Sequence, residues 1–143
     1  MGLALLFAGC GGEEPLKPED YNTRLIILPD GAKIRAEVKT RPEEIMTGMK
    51  YRDALPVNRG MLFQYAKEGL YSFWMYEVKV PLDMIWLDMH RRVVEIAPNT
   101  VPCPGPPEKC ASYGGTKPAM FIVELAAGQA ARHGVTVGQI LDF

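Results

Sequence analysis

The chain has 143 residues, 48% of them hydrophobic, and carries 16 basic and 17 acidic side chains for a net charge of −1. That length is one domain, large enough to bury an apolar core without help from a metal or an oligomer. The balanced charge, with no run of Lys or Arg, argues against a nucleic-acid partner and against an electrostatic hold on anionic lipid.

Residues 1–10 read as a processing segment: Leu3-Ala4-Leu5-Leu6-Phe7 is a short apolar run, followed by the small residues Ala8 and Gly9 and then Cys10. The run is too short to span a bilayer. Phe7-Ala8-Gly9-Cys10 resembles the lipobox of bacterial lipoproteins, which implies that Cys10 becomes the first mature residue and carries lipid. The expected location is that of an exported lipoprotein, on the periplasmic face of the outer or inner membrane or on the outer cell surface. Several acyl chains on one residue anchor stably where a single chain does not. Residues 11–22, rich in Gly, Glu, Pro and Lys, suit a flexible tether, and residues 23–143 form a single globular domain.

Within that domain, strands are expected at 23–28 and 33–39, turned by Pro29-Asp30-Gly31. Ile34, Ala36 and Val38 alternate with charged neighbours, the pattern of a strand with one wet face. Thr40 and Glu43 have capping-box spacing at the start of a helix over 41–51, whose face of Ile45, Met46 and Met49 packs on the sheet. Met61 to Tyr65 and Tyr71 to Met75 flank the polar tip Ala66-Lys67-Glu68-Gly69 as a hairpin would. Met84 to Leu87 and Val93 to Ile96 form a second hairpin, entered after Pro81. The segment 98–118 holds six prolines and three glycines and is expected to be irregular. Met120 to Val123 reads as a buried strand, 129–133 as a short helix stopped by Gly134, and 139–141 as a last strand. The architecture expected is α+β: a mainly antiparallel β sandwich or partly open barrel with one or two short helices.

Three motifs stand in order along the middle of the chain, Gly60-Met61-Leu62-Phe63, Phe73-Trp74-Met75 and Pro81-Leu82-Asp83. With them the chain resembles the family called domain of unknown function 192, over residues 24–143, from the Thr47–Arg52 segment to Gly134–Gly138. The resemblance implies a compact α+β domain without an established biochemical role. One departure is local: Tyr76-Glu77-Val78 stand where the family usually has Lys-Asn-Thr.

Cys103 and Cys110 close an eight-residue span, and in an exported chain such a pair is most simply a disulfide. Zinc wants about four ligands, and His90 and His133 are the only histidines, so no metal and no cofactor is expected. Serine catalysis has only Ser72 and Ser112 to draw on, neither in a nucleophile turn. Adjacent strand residues face opposite ways, so Phe73 and Met75 directed into the core leave Trp74 and Tyr76 as an aromatic strip on the other face. Together with Tyr113 from the stapled loop, that strip suits stacking on a sugar ring or on a partner's apolar residue. Arg52 and Arg59 present forks for an anionic ligand or an internal acid. Two functional expectations follow. One is a non-catalytic, lipid-tethered binding or accessory domain for a small sugar-like or anionic ligand or an envelope protein, using Arg52, Arg59, Trp74, Tyr76 and Tyr113. The other is an envelope hydrolase with Asp83 and Glu77 as its acid and base.

Overall fold

The computed structural model describes residues 20–143. The processing segment with Cys10, and the tether up to residue 19, lie outside the described residues.

The sequence order is β1 (Thr23–Ile27), β2 (Lys33–Lys39), α1 (Pro42–Thr47), β3 (Arg59–Gly69), β4 (Ser72–Trp74), β5 (Leu82–Leu87), β6 (Val93–Thr100), β7 (Ser112–Gly114), β8 (Ala119–Ala126) and α2 (Gln129–Arg132). Six strands form one mixed sheet in the order β1-β2-β3-β8-β5-β6, and β4 with β7 makes a separate two-stranded ribbon. Only β2 and β3 run parallel, joined by the connection that contains α1; the other neighbours are antiparallel. The fold is therefore α+β, mainly strand, with an open sheet.

Its edges are partly covered by the C-terminal segment. The Ile27 amide donates to the Asp142 carbonyl at one edge, and the Val93 amide to the Gln139 carbonyl near the other. Single bridges at Ile27–Asp142 and Arg92–Ile140 take the place of the expected last strand. Pairing an exposed edge in this way occupies backbone groups that would otherwise recruit another chain.

Period-two alternation divides the sheet's side chains between two cores. Leu62, Ile85, Leu87, Val123 and Leu125 share one face with Ile26, Ile34 and Ala130. Met61, Phe63, Leu82, Met84, Trp86 and Ile122 share the other, which α1 and the ribbon cover. Burying each such large side chain contributes about 1.5–3 kcal/mol, so both layers are required to hold the domain together. Gly60 of β3 has no room for a side chain: a Cβ there would lie 2.7 Å from the Glu124 carbonyl oxygen.

Other expectations change as well. The hairpin of Met61–Tyr65 with Tyr71–Met75 does not form, because β3 already has β2 on one edge and β8 on the other. Ala66 to Gly69 instead lengthens β3, Tyr71 stacks on Tyr65 with ring centroids 3.5 Å apart, and β4 pairs with β7. The expected irregular segment thus supplies a strand. The helix ends at Thr47, capped by Gly48 with φ 47°, so Met46 stays 70% exposed while Met49 is buried. Its cap also lies one residue later than Thr40–Glu43: Glu44 accepts from the Arg41 amide at 3.3 Å.

Candidate functional site

Between α1, β3 and the ribbon lies a recess of about 150 Å3, open to solvent. Met46 and Trp74 are exposed at its mouth, Phe63 and Phe73 form its walls, and Glu124 of β8 reaches it from the sheet. An apolar cavity of about this volume accepts a single benzene ring.

Trp74 and Tyr76 stand together as an aromatic pair, and Phe73 lines the same recess. Met75 is buried, Trp74 is 42% exposed, and the Trp74 and Tyr76 rings sit 5.2 Å apart at 54°. The Lys50 ammonium lies 5.2 Å from the Tyr76 centroid and 5.8 Å from that of Trp74, a cation–π arrangement across both rings. Lys50 is itself held by Glu77 at 3.5 Å. Glu77 also accepts from the Tyr51 hydroxyl at 2.7 Å, and the Tyr51 amide donates to the Glu77 carbonyl. Those contacts, the tyrosine hydroxyl first, hold the Glu77 carboxyl below its ordinary range. Tyr51 and Glu77 both have positive φ, 65° and 61°. Two non-glycine residues in the left-handed region each cost about 1–2 kcal/mol, and here they clamp one another beside the aromatic pair.

The stapled loop fixes Tyr76 from behind. Cys103 and Cys110 are disulfide-bonded. The Cys103 amide donates to the Met75 carbonyl and the Glu77 amide to the Cys103 carbonyl, so the bridge of backbone contacts straddles Tyr76. Gly105 lies against the same ring, 3.2 Å from where a Cβ would stand. Tyr113 pairs with Phe73 across the ribbon and accepts from the Val101 amide at 3.4 Å. It braces the ribbon and does not line the recess.

Glu124 is the anomaly. Strand register places it between Met61 and Met84, neither of which offers a donor. It is 4% exposed, and its Oε2 finds no hydrogen-bond partner among the described residues. An unsatisfied buried acceptor costs about 1–3 kcal/mol. Burial raises its pKa to about 8, with the Arg52 guanidinium pulling weakly the other way. Tyr65 nearby is pushed to about 12, by burial first and then by Tyr71.

Arg52 makes a two-pronged ion pair with Glu37, whose carboxyl falls to about 2 as a result. Arg59 binds Asp20 at 2.6 Å. Both forks therefore hold internal acids. Asp83 lies on the opposite sheet face from the recess, accepting from the Asn99 and Ala130 amides at 2.8 Å each. Asp83 and Glu77 are not brought together. Among the described residues no group of His, Cys, Asp and Glu is placed to hold a metal, and no helix is long and apolar enough to cross a membrane.

The model of DUF192, described as an "Uncharacterized ACR", matches residues 25–143. The chain belongs to the DUF192 family. No curated protein matches it. A protein of unknown function from Novosphingobium aromaticivorans DSM 12444 is similar in structure, with 25% identity, TM-score 0.79, and coverage of 93% of this chain and 94% of that one. A proposed transcription regulator from Sinorhizobium meliloti 1021 is similar at 27% identity and TM-score 0.73, covering 82% and 89%.

In this DUF192 domain Tyr76 and Val78 line the recess, and Glu77 tethers Lys50 at its rim. Sequence reasoning finds Trp74 and Tyr76 by alternation. It does not single out Glu124, Lys50 or Tyr65. The available signal for Glu124 was a lone acid inside the apolar run Met120-Phe121-Ile122-Val123-Glu124-Leu125, two residues after Ile122 and so on the same face.

Proposed function

We propose that this DUF192 domain is a non-catalytic binding domain, tethered at the cell envelope through lipid on Cys10, that holds one ring of a sugar-like ligand over Trp74 and Tyr76. The observation that carries the reading is the half-exposed Trp74 at the mouth of a largely apolar recess, tilted against Tyr76. Large aromatics are mostly buried in a monomer; one left open beside a cavity of single-ring size supplies a stacking face. The disulfide at the back of Tyr76 keeps that face in place and suits an oxidising compartment. Arg52 and Arg59 act as braces in this reading, each neutralised by its own acid.

Acid–base hydrolysis is not favoured by the placement of Asp83, whose two oxygens are taken by backbone amides away from the recess. Transcription regulation, proposed for the Sinorhizobium protein, draws no support from a net charge of −1.

The test is a panel of methyl glycosides added to the full chain while Trp fluorescence is followed. A saturable shift that disappears in Trp74→Ala, with the circular dichroism of the fold unchanged, is expected. Absence of any shift across the panel would sink the sugar-like reading.

A further inference from the structure

We propose that Glu124 is the residue that reads the ligand: its carboxyl, one of the groups lining the recess, accepts a hydrogen bond from a hydroxyl of an uncharged ring stacked on Trp74 and Tyr76. This rests on the binding role proposed above and specifies the chemistry of the same site. Three observations converge on it. Glu124 is almost wholly buried yet lines the recess, and Oε2 has no partner among the described residues. Its cross-strand neighbours, Met61 and Met84, cannot donate to it. The wall and mouth are aromatic, so a ring with an apolar face and polar edges satisfies both ends at once.

Charge selects an uncharged ligand. Lys50 already places an ammonium over one face of the Trp74 and Tyr76 rings, so a cationic ligand meets a like charge there. An anion finds Lys50 engaged by Glu77 and Arg52 by Glu37.

A donor to a carboxyl favours its ionised form. In the free domain burial holds Glu124 neutral up to a pKa of about 8. Binding a hydroxyl donor therefore releases a proton at neutral pH, and affinity rises with pH until Glu124 is ionised without ligand. The charged and titratable groups around it are Lys50 and Arg52 after α1, Glu37 on β2, Tyr65 on β3, and Tyr76 with Glu77 after β4; β5 offers the uncharged Met84. Glu37 near 2 and Tyr65 near 12 titrate outside the relevant window. Glu77 is shifted down, and Arg52 and Tyr76 up, away from it.

The experiment measures binding of methyl β-glucopyranoside, methyl β-galactopyranoside, N-acetylglucosamine and inositol to the full chain between pH 6 and 8. In the wild type, affinity should tighten with pH, by at most about tenfold per unit. Glu124→Gln, whose amide oxygen accepts at any pH, should bind with a flat profile. Glu124→Leu should bind at least about tenfold more weakly while remaining folded. If the wild type binds through Trp74 but shares the flat profile of Glu124→Gln, or if Glu124→Leu binds as tightly, the role of Glu124 is wrong and the binding reading stands. If none of the four compounds binds the wild type, the binding reading falls and this inference with it. Tighter binding of tetramethylammonium than of any of them would overturn the uncharged class.

Discussion

Replacing Glu124 by Gln changes how stability depends on pH, and the structure gives both sign and size. Glutamate has a reference pKa of 4.5, and burial raises that of Glu124 to about 8 in the folded domain. The folded state holds the proton more tightly than the unfolded chain, so folding is favoured below 4.5. As pH climbs, the unfolded chain ionises first, and stability drains away until pH reaches about 8, where the folded group ionises too. Each pH unit inside that window costs about 1.4 kcal/mol, which accumulates to roughly 3 kcal/mol by pH 7. Glu124→Gln has no proton to lose and removes this slope. The absolute offset between the two proteins depends on how the amide is satisfied; the difference in slope does not. Urea denaturation of both proteins at pH 5, 6, 7 and 8 is the assay. The gap between them should shift in favour of the Gln variant at each step. Parallel curves would mean that Glu124 is solvated or paired in the folded state, and would refute the description of the recess floor.

Reducing the Cys103–Cys110 bridge, or replacing both cysteines by Ala, should cost about 2.5 kcal/mol by loop entropy; that lowers the melting temperature of a domain this size by about 10 °C, and an unchanged melt would show that the loop is held without it. Gly114→Ala should destabilise by about 2–4 kcal/mol, because φ there is 68° and the new Cβ would lie 2.1 Å from the Trp86 indole; a near-neutral denaturation midpoint would contradict this packing. Arg52→Ala removes the partner that depresses Glu37, but both side chains are over a third exposed, so the loss at neutral pH should be about 1 kcal/mol or less. Because the Glu37 carboxyl is depressed from 4.5 to about 2, that contribution is present above pH 4.5 and fades as pH falls through 2; a difference persisting in strong acid would argue for another mechanism. Cys10→Ala should move the chain from the membrane fraction to the soluble fraction, and retention on the membrane would remove the lipid tether from the account.

Local patterns carried much of this fold. Alternation at Lys33–Lys39 and the apolar runs at Leu82–Leu87 and Ala119–Ala126 fixed strands, and one-residue offsets correctly separated Trp74 from Met75. Partner choice was not legible. The Ala66–Gly69 segment looks like a hairpin tip in isolation, but the edges of β3 are filled by β2 and by β8, which begins fifty residues after β3 ends. Ribbon strand β7 was hidden for a related reason, since prolines and glycines around Ser112–Gly114 mask a strand that exists only because β4 needs a partner. The aromatic half of the recess could be read from strand period. Its carboxyl could not, because the isolation of Glu124 follows from which residues flank it across the sheet, Met61 on one side and Met84 on the other.

The most direct measurement is a map of backbone and indole NMR shifts on adding methyl glycosides to the full chain. Perturbations should converge on the Trp74 indole N–H, Met49, Lys50, Tyr76 and Glu124, and the Ala130 and Asn99 amides on the far face should stay still. Shifts centred on the Asp83 side of the sheet, or none at saturating sugar, would contradict binding at the recess.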